Sequence, residues 1–272
     1  MIISQYLRHL FLKSLFIFIG LLIFESSFAD DFAVIATPPR FEINGKSGAV
    51  IRQVIEITNA SSAPAKYNIK TTDWTLDANG GVEFTDTLQP NSCRSWVSLE
   101  RLQLSVPSGA KYRFRFEVNP PTDAIPGECR FAIMIEGDEQ AAKTANGLTI
   151  PYSGRLGVIV YVGIGEIKSQ LTVISSEVKK VNEVPKPFIH VRNSGNAHGR
   201  LTGFLSGTDA VGKKFEYAPS GLPILAGEVR EISLDIQQQT DIPLPIIKYP
   251  ITIRGNLEWD DKSIPFEQEF GF

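Results

Sequence analysis

Ser176-Glu177-Val178-Lys179 has the S-x-x-K spacing with which a lysine can take the proton of a serine nucleophile. The S-D-N and K-T-G elements that complete such sites are missing, so the spacing alone carries no chemistry. There is no G-x-S-x-G elbow and no glycine-rich phosphate loop ahead of a helix. Two of the three histidines lie beyond the N-terminal segment. His190 alternates with apolar neighbours, and His198 sits in a turn beside Gly195 and Gly199; both positions suit packed or hydrogen-bonded rings better than a general base. Cys93 and Cys129 form no C-x-x-C pair, and only His190 and His198 could assist them, so a metal site is the weakest reading of the cysteines. Asn59-Ala60-Ser61 fits an N-glycosylation acceptor, with nothing else to support its use. No catalytic residue, metal or cofactor is expected, and the chain is read as a non-enzyme.

Charge and targeting narrow the field. A formal net charge of −3 over 272 residues supplies no basic field for nucleic acid, and no small-molecule substrate is indicated. Arg8 and Lys13 precede the apolar run SLFIFIGLLIF, and Ser27-Phe28-Ala29 places small residues where a signal peptidase reads. The run is shorter than the ~20 residues of a membrane span. Residues 1–29 are therefore read as a cleaved signal peptide, and the rest as a soluble exported protein starting near Asp30. An uncleaved anchor is the alternative. In an oxidising compartment, Cys93 and Cys129 read as one disulfide closing a loop of roughly 36 residues, worth about 3–4 kcal/mol. Two buried thiols are the competing reading.

The elements beneath these residues are strands. KYRFRFEV (Lys111–Val118) puts Tyr112, Phe114, Phe116 and Val118 on one face and Lys111, Arg113, Arg115 and Glu117 on the other, the pattern of a half-buried antiparallel strand. VIRQVIEIT, CRFAIMIE, RLGVIVYV, PFIHVRN, EVREISLDI and YPITIRGNLEW are built alike, between clusters of turn residues. Trp74 and Trp96 are expected in the first core. The order of pieces recurs: VIEITNASSAPAKYNI has the plan of FIHVRNSGNAHGRLTGFL, and VPSGAKYRFRFEV that of ILAGEVREISLDI. Two halves, each of roughly seven short strands, predict an all-β chain of two immunoglobulin-like β-sandwich domains in tandem, residues 30–165 and 166–272. A single large barrel is the alternative. The repeated order counts against it.

Three stretches carry a likeness to a known family. TPPRFEINGKSGAVIRQVIEITNAS has an arginine on the first strand five residues before a turn glycine. NSCRSWVSLERLQLSVPSGAKYRFRFEVNPPTDAIPGECRFAIMIEG has a turn-glycine strand and a closing PGECRF segment. SGRLGVIVYVGIG precedes the second half. In order and spacing the chain resembles the periplasmic pilus (fimbrial) assembly chaperones of bacteria, the second half more loosely than the first.

The resemblance implies an L-shaped pair of domains that binds pilin-like subunits in its cleft and delivers them to an outer-membrane usher. It also implies donor-strand complementation, in which the last strand of the first domain completes a subunit that lacks one. The stretch NGLTIPYSGRLGVIVYVGIG is long enough for that. Leu148, Ile150 and Tyr152 alternate on one side of its surplus end and would be the donated face; the alternative is that they cover their own core. Pro151 removes one ladder donor, so this end suits edge-like pairing. The preceding GDEQAAKTANG is read as a flexible loop. The family holds the subunit's terminal carboxylate with two basic residues. Arg40 matches the first. The second, a lysine in the family's R-I-K-L type strand, falls on Gly157 here, and Arg155 on the same face is the substitute, or else a solvated edge charge. The competing function is an exported structural or adhesive module, in which both Arg40 and LTIPY would be buried.

Overall fold

The computed structural model describes residues 32–143, 146, 148–238 and 245–271, so the signal segment lies outside the described residues. Period-two alternation sets the strands. The strand predicted over Lys111–Val118 occupies those residues, with Phe114, Phe116 and Val118 buried and Lys111, Arg113 and Arg115 exposed. Its hydrophobic face is one wall of the first core.

That core lies between two sheets. One contains β1 (Val34–Thr37), β3 (Ile51–Asn59), β8 (Lys111–Val118) and β6 (Val97–Leu99), in that spatial order. The other runs β2 (Arg40–Gly45), β12 (Arg155–Ile164), β9 (Gly127–Gly137), β4 (Ala65–Leu76), β5 (Val82–Thr85), with β7 (Gln103–Val106) also on β4. The chain passes from β1 in one sheet to β2 in the other through Pro38-Pro39, residues that offer no ladder donor. Phe41, Ile57, Phe116, Phe131 and Val160 meet between the sheets.

The second sandwich is a continuous run of strands in the order β13 (Leu171–Val181), β14 (Val184–Asn193), β17 (Val229–Ile236), β16 (Lys214–Pro219), β15 (Leu205–Asp209), β18 (Ile251–Trp259) and β19 (Lys262–Phe270). Strand β17 serves both layers: Val229–Ser233 pairs with β14, and Leu234–Ile236 with β16. Tyr217, Ile232, Ile253 and Leu257 fill its core.

The repeat in the sequence has a physical counterpart at two asparagines. Asn59 ends β3 with no exposure, and its amide nitrogen donates to the carbonyls of Ala63 (2.8 Å) and Val106 (3.0 Å). Asn193 ends β14 in the same way, donating to Ala197 (2.8 Å) and Ile224 (2.9 Å). Each side-chain oxygen accepts a backbone N–H two residues on. The side chain thus substitutes for a missing strand partner at the end of each ladder. Burial of Asn59 also gives the Asn-Ala-Ser triplet a structural role.

Trp74 is buried, but outside the sandwich core. It sits on the outer face of the β2–β12–β9–β4–β5 sheet with Ala132, Tyr161 and Leu225, the last from the second domain. The outer layer explains why β9 is buried on both faces from Phe131 to Ile135. Trp96 does pack against the first core.

Candidate functional site

The surplus end of NGLTIPYSGRLGVIVYVGIG does not continue β12 in line. Ser153-Gly154 interrupts it, and β11 (Thr149–Tyr152) folds back on β10 (Gln140–Lys143) as an antiparallel two-stranded ribbon. The segment read as a flexible loop therefore supplies a strand. Gly137 N–H donates to Gly154 O at 3.0 Å, the last rung before the ribbon leaves the sheet. At this rung Phe32 lies flat on Gly154: an ideal Cβ there would stand 2.1 Å from its ring, so only glycine fits. Leu148 is 65% and Ile150 46% exposed, while Tyr152 is half-buried beside Phe32 and Tyr67 in a cavity of about 250 Å³. Within β11, Pro151 faces Ala141, and a ribbon strand with a single partner tolerates its missing donor.

Arg40 and Arg155 are placed differently. β2 lies parallel to β12 with Arg40 opposite Ile159 and Glu42 opposite Tyr161. Arg155 is four residues back along β12, roughly 13 Å at strand rise, opposite Glu136 and beside Glu139. Between them, Gly157 lies under Phe84 of β5; an ideal Cβ would be 2.3 Å from the ring. Phe84 fills the space that a long side chain at 157 would need, and the two predicted cations are not brought together. Neither Phe84 nor its short strand stood out in the sequence.

Arg40 sits instead at the edge of the junction between the domains. Its Nε is 2.9 Å from Glu42 Oε1, with both side chains about half exposed. Glu42 lines a cavity of about 770 Å³ together with Tyr161, Lys168, His198 and Arg200, drawn from both domains. His198 stacks on Tyr161 with ring centres 3.9 Å apart, and its Nδ1 is 2.6 Å from Glu128 Oε2. Its backbone N–H donates to the other Glu128 oxygen at 3.1 Å. Burial pushes the Tyr161 phenol up to about 12, against the pull of Arg200 and Arg40. Arg230, from the second domain, donates to Asp77 O at 2.8 Å and closes the far side of the junction. His198 is hydrogen-bonded as its turn position suggested, but its partner lies 70 residues away, where no local pattern points.

The remaining candidates resolve as structural. Cys93 and Cys129 are joined, with Cα atoms 5.6 Å apart, fastening the turn at Arg94–Trp96 to β9. Lys179 bonds to Glu177 and Glu231, so it is not positioned as a partner of Ser176. His190 Nε2 meets Glu177 Oε1 at 2.5 Å. Glu177, His190 and Glu231 cluster with metal-like spacing, but the Lys179 ammonium already supplies the positive charge there.

Sequence comparison matches the chain to no protein-family profile and to no curated protein. Comparison of folds does find neighbours. The class 5 fimbriae chaperone CfaA is 12% identical, with a TM-score of 0.45 over 88% of this chain and 99% of that one. The YadV chaperone is 10% identical at a TM-score of 0.47, over 87% and 98%. The structure of Salmonella enterica SafA pilin with the SafB chaperone gives 13% and 0.45, over 88% and 97%. Each of these three structures contains a protein named as a chaperone, one of them of class 5 fimbriae and one in complex with a pilin. At these identities and scores the functional reading rests on the residues of this chain.

Proposed function

We propose that the chain is a periplasmic chaperone for pilus or surface-fibre subunits, with no chemistry of its own. The β10–β11 ribbon, with Ile150 and Tyr152 on β11 and Leu148 just before it, would be lent to a subunit that lacks a strand. The subunit would then pass to an outer-membrane usher. One observation carries this reading: Leu148 and Ile150 stand exposed on a ribbon that leaves the sheet at the ends of two core strands, β9 and β12. Natural proteins suppress apolar strand edges unless another strand is meant to pair there. Burying one such side chain is worth roughly 1.5–3 kcal/mol, so a few in subunit pockets would dominate recognition. Export by residues 1–29 places the protein where such subunits fold.

An exported structural or adhesive module is less well supported, because it needs both LTIPY and Arg40 covered by the chain itself. The test is co-expression with a pilin-like subunit. The wild-type protein is expected to yield a soluble complex in the periplasm. The Leu148→Glu, Ile150→Glu protein should fold and yield none. A complex that forms equally well with that variant removes the donor-strand reading.

A further inference from the structure

Three neighbouring strands of the second domain place metal-ligating side chains on one outer face. Glu177 comes from β13, His190 from β14 and Glu231 from β17, and their ligand atoms all lie within 4.8 Å of one another. His190 stands directly opposite Glu231 across the β14–β17 ladder. Glu177 pairs with Phe188, the next residue on the same face of β14, and reaches across to put its Oε1 2.5 Å from His190 Nε2. The same nitrogen is 3.7 Å from Glu231 Oε2. Behind this face Ile189, Val191 and Ile232 have no exposure, so the β14 and β17 backbones beneath the cluster are fixed by the core. A cation of the chain's own is already seated there. Lys179 follows Glu177 by two residues, with its ammonium 3.1 Å from Glu177 Oε1 and bonded to Glu231. Its side chain is 43% exposed, and ion pairs so open to water contribute little, so the ammonium can leave at small cost.

We infer that Glu177, His190 and Glu231 form a zinc site on the second domain, and that Lys179 is the resident cation the metal displaces. Two carboxylate oxygens and one imidazole nitrogen suit this borderline ion and leave a fourth tetrahedral position to water. Zinc held at ~2.0–2.2 Å by such donors needs them roughly 3.4 Å apart. The His190–Glu231 separation of 3.7 Å is already close to that. Glu177 has only to draw back from its short contact, and it is the most exposed of the three. One ammonium balances one of the two carboxylates; a divalent ion balances both. Magnesium fits poorly, because it prefers an octahedron of oxygens and keeps its waters. The consequence is mechanical. β14 pairs with β17 only over residues 188–192, and among the described residues the hairpin of 178–181 with 184–187 has no ladder but its own. Zinc ties β13 to β17 across β14, two strands that do not pair with each other. The inference does not depend on the chaperone reading.

The test uses the full mature protein, stripped of metal with a chelator that is then removed, and titrated with zinc chloride by isothermal calorimetry. Zinc should bind saturably at one equivalent, and excess magnesium chloride should not compete. Lys179→Met should tighten binding roughly tenfold, because the internal competitor is gone. His190→Gln should abolish it, and Glu231→Gln should weaken it by roughly tenfold or more. In NMR spectra the ring nitrogens of His190 should shift as zinc is added, while those of His198 stay still. Zinc should also raise the melting temperature of the wild-type protein and not that of His190→Gln. The site is overturned by binding that survives His190→Gln, by a Lys179→Met protein that binds no tighter, or by a response at His198 in place of His190. Should His190→Gln fail to fold, Glu177→Gln at the most exposed of the three positions makes the same test, and undiminished binding there also overturns the assignment. Absence of saturable binding, with no ring shift and no rise in melting temperature, would mean that Lys179 keeps its place and zinc has none.

Discussion

Strands β11 and β12 follow each other in the chain and carry the same alternation of apolar side chains, yet their burial is opposite. Val158, Val160 and Val162 of β12 have no exposure, whereas Leu148 is 65% and Ile150 46% exposed just before them. The difference is the number of neighbours. β12 is held between β2 and β9, and its inner face meets the opposing sheet; among the described residues β11 pairs with β10 alone. Alternation in a sequence chooses which side chains share a face. Whether that face is covered depends on what the rest of the chain brings to it. In β12 the pattern serves the fold's own stability, and in β11 the same pattern leaves Ile150 46% exposed.

The hardest test of this contrast is a charge in the covered half. Val160→Asp puts an unpaired carboxylate among Phe41, Phe131 and their neighbours. It should cost roughly 4 kcal/mol or more and leave the first domain unfolded. Loss of near-ultraviolet circular dichroism at 25 °C is the expected reading; a native spectrum would mean that β12 is not the core strand described here.

The next effect comes from the strand that β12 leans on. The Cys93–Cys129 bridge pins β9, which pairs with β12 along its whole length. Removing it with the double serine variant should cost about 3–4 kcal/mol in urea unfolding, since it frees a long loop in the denatured state. Amide exchange should rise along β9 and β12 and stay as it was in β10–β11. Equal changes in both would merge the two regions into one cooperative unit.

A smaller effect tests the outer face of β12. Gly157→Lys restores the residue type that the resembled family carries at that place, but its Cβ would run into Phe84. The expected loss is ~1–3 kcal/mol, as for other overpacked sites. Adding Phe84→Ala should recover much of it. If Gly157→Lys is neutral by itself, the ring moves away freely, and its role in excluding a cation from that position is wrong.

The contrast also marks what could be seen in the sequence. Both sandwiches were legible, because alternation and turn residues are local and the Asn59 and Asn193 turns repeat. The break at Ser153-Gly154 was written as a Ser-Gly turn signal, but the apolar letters on either side read straight through it. Trp74 was assigned to the wrong layer because a buried aromatic looks the same on either face of a sheet. The partnership of Glu128 with His198 was missed for a different reason. It depends on how two domains approach, and no periodicity within either one encodes it. Arg155 shows the converse: it shares a face with Ile159 and Tyr161, but distance along the strand separates it from Arg40.

The smallest expected change in stability is the most informative about function. Leu148→Glu with Ile150→Glu replaces two side chains that already face water, on a ribbon whose last rung to the sheet is the Gly137–Gly154 bond. Surface replacements of this sort usually stay within about 0.5 kcal/mol, so the melting temperature should hold. Binding should not. In a subunit groove each glutamate would have to shed its hydration in an apolar pocket without a partner, a cost that exceeds the contact it replaces. Stability and binding are measured on one preparation, by calorimetry and by capture of the co-expressed subunit. A variant that melts like wild type and captures nothing separates the two regions as described. A large drop in melting temperature would instead return Leu148 and Ile150 to the chain's own core, and β11 would then differ from β12 in degree alone.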